Sequence, residues 1–595
     1  MTARYVIGID LGTTNSVLAY TPLDVEQPGV HVLPIPQLVA AGTVEARPAL
    51  PSFLYLASQS ESAKGAFELP WDQGRDYAVG ELARRQAAEV PDRTVGGAKS
   101  WLCHARVDRR GDILPWNAPP EVPKVSPVTA SRRFLEHMRS AWEQAFPDAP
   151  LANQHVVLTV PASFDASARD LTREAALAAG LPEDLLLLEE PQAAVYAWLD
   201  TTGNRWRRLL QLHDMLLVCD VGGGTSDFTL VKVAEEQGDL ILQRVAVGNH
   251  LLVGGDNMDL TLAYHMSEVL AKKHVRLDPW QSVSLWHACR TAKETLLAAD
   301  GPNAYSVSVL GRGSKLIGGT VSAELKRKQA AELLVDGFFP PCRPSERPVR
   351  RRASGFQDIG LPFEQDTAVT RHLAAFLQDH GEEPGRPIQP THVLLNGGVF
   401  KARVLAERLL EVLGQWASCP APRMLEGTHD LDNAVARGAA YYGWAKQRGG
   451  IRIRGGTARA YYVGIETAGL AIPGAPRPLR ALCVAPLGME EGDQADVPSQ
   501  EIGLVVGEPA HFRFFSSSVR KQDQVGDVLT TWTEDELGET DSLEATLDRD
   551  ETIDERYVPV KFQSRVTELG VFELWCVGTR GNRQWKLEFS VREED

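Results

Sequence analysis

The sequence predicts an α/β protein of two similar lobes sharing one ligand, followed by an all-β domain. Three observations lead there. First, the pattern of apolar strand, Asp, Gly-rich turn and Thr is written twice, as "IGIDLGTTNS" at 7–16 and "LVCDVGGGTS" at 217–226, so that two lobes offer the same turn. Second, strand-like and helix-like runs alternate from 1 to about 445. Third, beyond 445 the chain breaks into short alternating runs separated by Gly, Pro and Asp.

Size and charge narrow the class. At 595 residues the chain exceeds one core, and a prior of about 150 residues per domain gives roughly four folding units. The formal charge of −16, with 24% charged and 43% hydrophobic residues, is that of a soluble globular protein. It lacks the basic field that a phosphate backbone demands, so no nucleic-acid partner is expected. The seven cysteines are scattered with no CxxC spacing, which points to a reducing compartment and away from zinc. The start "MTARYVIGID" enters a strand at once, leaving no room for a signal peptide, and no run of about 18 apolar residues occurs. A cytoplasmic protein with no membrane partner is expected.

Within the first part, "HVVLTV" (155–160) reads as a buried strand and "DASARDLTREAALAAG" (165–180) as a helix with an acidic start and a closing Gly180. "MLLVCDV" (215–221) repeats the strand signal, and "HVLLNGG" (392–398) leads into "KARVLAERLLEVLG" (401–414), where Leu405, Leu409 and Leu413 recur at helical spacing. Two segments interrupt the order: 115–127 is rich in proline, and 340–352 reads "PPCRPSERPVRRR". Both are expected to be surface insertions, the arginine run a solvated loop rather than an anion-binding patch. "KQRGGIRIRGG" (446–456) marks a boundary. "YYVGIE", "RALCVAPL", "IGLVV", "HFRFFSSS", "YVPVKFQSRV", "GVFELWCVG" and "RQWKLEFSV" then read as strands of a β-sandwich.

Two Asp–Gly–Thr turns facing one another suit a nucleotide polyphosphate. Glycines admit phosphate oxygens to backbone N–H groups, threonine hydroxyls donate, and an Asp at each strand end can hold the water shell of Mg²⁺. The motif GxxxxGK[ST] is absent, so the cradle is of another kind.

These residues resemble the 70-kDa heat-shock (DnaK-like) chaperones, whose ATPase domain shares the actin-like fold of two ribonuclease H-like lobes. "GIDLGTTNS" and "CDVGGGTSD" are similar to that family's phosphate loops and "VLTVPASFDASAR" to the segment joining its lobes. "LEEPQAAVYAW" resembles its connecting motif, "VGGD" a conformational turn, "LLNGGVF" the adenosine loop, and "DLDNAVARGAAYYGWA" the closing helix. The resemblance implies an ATPase domain at 1–445, a Gly/Arg-rich linker at 446–460 and a peptide-binding β-sandwich at 461–595. It implies ATP/ADP and Mg²⁺ as cofactors. Gly12, Thr13, Thr14 and Asn15 would meet the phosphates from one lobe, and Gly222, Gly223, Gly224 and Thr225 from the other. Asp10 and Asp220 would hold the hydrated metal, Lys99 would position the attacking water, and Glu190 would stand at the hydrolysis site. Gly255, Lys293, Gly397 and Gly398 would line the nucleoside. Pro161 and Arg169 would relay nucleotide state to the β-domain, unless Arg169 forms a simple surface ion pair.

The chain departs from that pattern in places. Glu189 stands where relatives more often have Asn and is expected to add negative charge near the site. Glu294 and Leu297 replace Arg and Ser at the base-clamping helix, and Val399 and Lys401 replace Ser and Arg in the adenosine loop, which points to altered base contacts. The sequence stops after the last strand-like run, so no helical lid is expected, and the usual apolar linker is replaced. The implied partner is an unfolded or extended polypeptide, or one dedicated protein, with a co-chaperone or nucleotide-exchange factor. Two other functions compete: a regulatory or scaffold module with little turnover, and a metabolite kinase of the same superfamily, which the "VPASF" and "EEPQAA" segments disfavour.

Overall fold

The computed structural model describes residues 3–589 except 63, 105–106, 237, 311–319, 350–359, 362, 382–385, 418–419, 426–429, 449–452, 455, 458, 467–478, 491, 500, 506–507, 547–556, 568–571 and 581–582. The arginine run at 350–352 therefore lies outside the described residues, as does part of the linker.

The repeated motif stands at the same place in two sheets. In the first, the strands run Leu186–Glu189, His155–Val160, Tyr5–Leu11, Asn15–Pro22, His31–Val32; in the second, Arg423–Met424, His392–Asn396, Met215–Val221, Ser226–Glu236, Asp239–Val247, Ile453–Arg454. Each motif strand pairs parallel with one neighbour and closes an antiparallel hairpin with the other. Their near-continuous apolar runs, such as Ile7, Ile9, Leu217 and Cys219, are buried because helices cover the sheets. Helix Ala166–Ala178 starts where Asp165 accepts from Ala168 N (2.7 Å) and is followed by Gly180 at φ +84°. Helix Ala434–Arg448 returns to the first sheet and lies against helix Glu190–Thr202, so close that a Cβ on Gly438 would sit 1.7 Å from the Ala193 carbonyl oxygen. Only glycine permits that approach.

Of the two expected surface insertions, residues 340–349 form an irregular surface loop, whereas 115–127 is not a simple loop. Pro127 opens helix Pro127–Ala145, whose N-cap Ser126 accepts from Thr129 N (3.0 Å), and Leu114, Val122 and Val125 are buried. Trp116 packs on Trp101 with ring centroids 4.8 Å apart. The segment around Gly360 crosses from the second lobe to these rings. Gly360, at φ +83°, meets both indoles, its carbonyl oxygen lies 3.0 Å from His104 Nε2, and Leu361 packs into the core of the first lobe. Further along the same segment Glu364 N donates to Leu252 O of the second lobe (3.1 Å). Gly360, Leu361 and Glu364 thus tie the two lobes together.

The C-terminal part holds two antiparallel sheets packed face to face, with Val463, Leu482, Phe514, Val560, Phe562, Leu574 and Cys576 between them. The strand-like runs read above fall in its strands, from Ala460–Glu466 to Glu588–Phe589. Strands Gln494–Asp496, Val528–Leu529 and Gly538–Thr546 had no sequence signal; the last, "GETDSLEAT", carries too few apolar residues for alternation to mark it. The β-domain is docked: His380 Nε2 lies 3.2 Å from Ser518 O, and Ser518 Oγ donates to Asn249 Oδ1 (3.1 Å). The Gly/Arg-rich segment does more than connect, because Ile453–Arg454 adds a parallel edge strand to Asp239–Val247.

Among the described residues, no helix is long and apolar enough to cross a membrane, and the six described cysteines are free thiols.

Candidate functional site

The two hairpins meet across a cleft of about 450 Å³. On one side the turn between Tyr5–Leu11 and Asn15–Pro22 presents Gly12, Thr13, Thr14 and Asn15; on the other the turn between Met215–Val221 and Ser226–Glu236 presents Gly222, Gly223 and Thr225. They are in contact. A Cβ on Gly223 would fall 1.9 Å from Thr14 Oγ1, and one on Gly224 2.8 Å from Thr13 Cγ2 and 2.6 Å from Ser100 Oγ. Gly224 thus packs the hairpins together.

Asp10 and Asp220 are the last-turn residues of equivalent strands, and each receives a hydrogen bond from the residue opposite it on the parallel neighbour. Thr159 Oγ1 donates to Asp10 Oδ1 (3.3 Å), and Asn396 Nδ2 to Asp220 Oδ2 (2.7 Å). Neither partner was legible in the sequence, since their strands lie well over a hundred residues along the chain. Burial, then the charge of Glu190, pushes both carboxyls up to about 7, with Lys99 opposing. Asp227, opposite Asp220 on the hairpin, is pushed to about 7 chiefly by burial and is hydrogen-bonded by Ser163 and Thr225. Ser163 also lies 2.7 Å from His250 Nδ1.

Lys99 projects from the single helical turn Ala98–Trp101 and pairs with Glu190, the first residue of helix Glu190–Thr202. Burial opposes its charge, but Glu190, Asp10 and Asp220 outweigh that and hold its pKa above the ordinary lysine range. The nucleoside end is lined by Gly255, Lys293, Glu294, Leu297, Gly397, Gly398, Val399 and Lys401. Lys293 is already engaged, by Asp259 (2.7 Å) and Gly255 O (2.8 Å), and Lys401 pairs with Asp432. Arg290 holds Asp256 (2.5 Å) and Asp259 (2.9 Å) and lies 5.5 Å from the Phe53 ring of the other lobe, roofing the cleft.

Glu189 does not add charge to the cleft. It is buried against Arg169 (2.9 Å) and Arg244, which outweigh the cost of burial and hold its pKa below the ordinary range. Arg169 also donates to Ala162 O and Phe164 O (each 3.2 Å), so it is not a surface ion pair. Pro161 is buried beside it in the segment joining strand His155–Val160 to helix Ala166–Ala178.

Among the described residues, no group of three or more His, Cys, Asp or Glu forms a ready-made metal cage. Two buried aspartates with raised pKa values, both under the charge of the lysine-paired Glu190, instead fit a hydrated divalent ion that they would hold through its water shell. Such an ion displaces protons from the carboxyls it meets. Binding of Mg²⁺ with nucleotide is therefore expected to release protons at about pH 6.5, and few above about pH 8, as read by calorimetry in buffers of different ionisation enthalpy.

Residues 70–347 match the family model described as Hsp70 protein. The chain is 26% identical over 419 residues to "Chaperone protein DnaK" of Stenotrophomonas maltophilia (strain R551-3), covering 69% of this chain and 61% of that protein. It is 29% identical over 418 residues to "Chaperone protein HscA homolog" of Pseudomonas paraeruginosa (strain DSM 24068 / PA7), covering 68% of this chain and 58% of that protein. The chain thus matches about three fifths of the length of these curated relatives.

Proposed function

We propose that this chain, a member of the 70-kDa heat-shock family, binds ATP with Mg²⁺ between its lobes, hydrolyses it slowly to ADP and phosphate, and couples nucleotide state to polypeptide binding by its β-domain. The observation that supports this most is the contact of the two hairpins, Gly223 against Thr14, at the mouth of a cleft containing Asp10, Lys99, Glu190 and Asp220. A triphosphate between such turns meets backbone N–H groups from both lobes and draws them together.

In this reading Thr13, Thr14 and Thr225 donate hydroxyls to phosphate oxygens, and Asp10 and Asp220 hold the metal's water shell. Bound Mg²⁺ supplies positive charge where negative charge accumulates in phosphoryl transfer. Lys99 brings a second cation to the γ-phosphate and orients water. Glu190 fixes Lys99 and accepts a hydrogen bond from that water. Pro161 and Arg169 then pass lobe closure to the β-domain. The client is an unfolded or extended polypeptide, or one dedicated protein, lying along the sandwich by backbone hydrogen bonds; a co-chaperone or exchange factor would set the pace. The reducing-compartment cysteine pattern supports a cytoplasmic setting, and a stress-response role follows from the family.

A second reading, a regulatory module with little turnover, is favoured by the tie that Gly360, Leu361 and Glu364 make between the lobes, because such a tie slows the opening that releases product. Steady-state hydrolysis with and without an unfolded polypeptide separates the two. Stimulation by many unfolded chains supports the chaperone, stimulation by a single protein supports the module, and absence of Mg²⁺-dependent ATP binding overturns both.

A further inference from the structure

Glu189 precedes Glu190 directly, yet none of the roles above employs it. It occupies the N-cap position of helix Glu190–Thr202 but makes no side-chain cap hydrogen bond. Its carboxylate is turned to two arginines from different lobes. Oε1 accepts from Arg169 (2.9 Å), of helix Ala166–Ala178, and Oε2 accepts from Arg244, of strand Asp239–Val247 in the second sheet. The other terminal nitrogen of Arg244 donates to the carbonyl oxygen of Gly456, just beyond the edge strand Ile453–Arg454. One buried carboxylate therefore joins the first lobe, the second lobe and the segment leading to the β-domain.

The charges make these parts interdependent. A buried and a half-buried guanidinium group share one carboxylate, so Arg244 satisfies its second donor on the Gly456 carbonyl, which is in reach only while the segment after Ile453–Arg454 is seated. Withdrawing that segment leaves Arg244 short of an acceptor in a buried place and loosens its grip on Glu189. Because Glu190 is the next residue and begins the helix, a shift of Glu189 turns the Glu190 side chain relative to Lys99.

We propose that Glu189 is a positioning residue, aligning Glu190 with Lys99 only while the lobes are closed, Ile453–Arg454 is docked on the second sheet and Gly456 meets Arg244. This deepens the ATPase reading and rests on it. In the full chain, Glu189→Gln is expected to lower kcat about tenfold with KM for ATP within about twofold, since the change acts on the chemical step rather than on nucleotide binding. It is also expected to raise the rate of trypsin cleavage at the arginines of 448–454 about fivefold in the presence of Mg²⁺ and ATP, by releasing the edge strand. Glu189→Asp keeps the charge and should recover most of the protection, which also guards against a variant that fails to fold, whereas Arg244→Lys, with one terminal nitrogen in place of two, should lose it. An unchanged kcat in Glu189→Gln overturns the proposal, as does a lowered kcat with the segment as protected as in the parent chain. If the parent chain binds ATP but does not hydrolyse it, the functional reading fails on its own, while the trypsin comparison still decides whether Glu189 holds the segment.

Discussion

Replacing Lys99 with methionine is expected to lower kcat for ATP hydrolysis by about two to three orders of magnitude while leaving nucleotide affinity within a few-fold. The lysine is buried at 8% exposure and stands among Glu190, Asp10 and Asp220, whose negative charge it offsets. Methionine fills much the same volume without the ammonium. Ground-state binding, which relies on backbone N–H groups of both hairpins, survives, whereas charge growing on the transferred phosphoryl group loses its protein-borne cation. Single-turnover kinetics alongside equilibrium binding measure the two parts separately. A Lys99→Met chain that hydrolyses ATP at the parent rate removes Lys99 from the reaction.

The second large effect concerns Gly223. A Cβ there would lie 1.9 Å from Thr14 Oγ1 and 3.2 Å from Thr14 Cβ, closer than real contacts allow, so Gly223→Ala must turn the Thr14 side chain aside and strain the hairpin contact. Overpacking of this kind costs about 1–3 kcal/mol, or roughly one to two orders of magnitude in Kd for a ligand that needs both turns. Adding Thr14→Ala should relieve the part of the loss that comes from the obstructing oxygen, and the double-mutant cycle reports a coupling that two distant sites would not show. Affinity unchanged in Gly223→Ala means that the hairpins do not close on the ligand together.

Much of this was written in the local sequence. Asp10 and Asp220, with the glycines behind them, were legible because each motif is short, repeated and set after an apolar strand. Lys99 and Glu190 came from resemblance rather than from pattern, since a lone Lys and a Glu before Pro look like ordinary surface. Thr159, Asn396, Asp227 and Ser163 were missed as supporting residues because their roles arise from strand pairing between distant parts of the chain. Glu189 was misread for a related reason: its partner Arg244 sits on a strand that carries no motif, and only the fold shows that its charge faces away from the cleft. The strand Ile453–Arg454 was invisible because a glycine- and arginine-rich stretch has no propensity to pair until an edge is offered to it.

Gly360 sits against Trp101 and Trp116, and Trp101 belongs to the same helical turn as Lys99. Separating the lobes would draw that glycine away and wet the indoles, chiefly that of Trp101, since Trp116 is already 37% exposed. The molecule thereby carries its own optical gauge: ultraviolet emission should shift to longer wavelength as the cleft opens, with no dye attached, and the shift should shrink when phenylalanine stands in for Trp101.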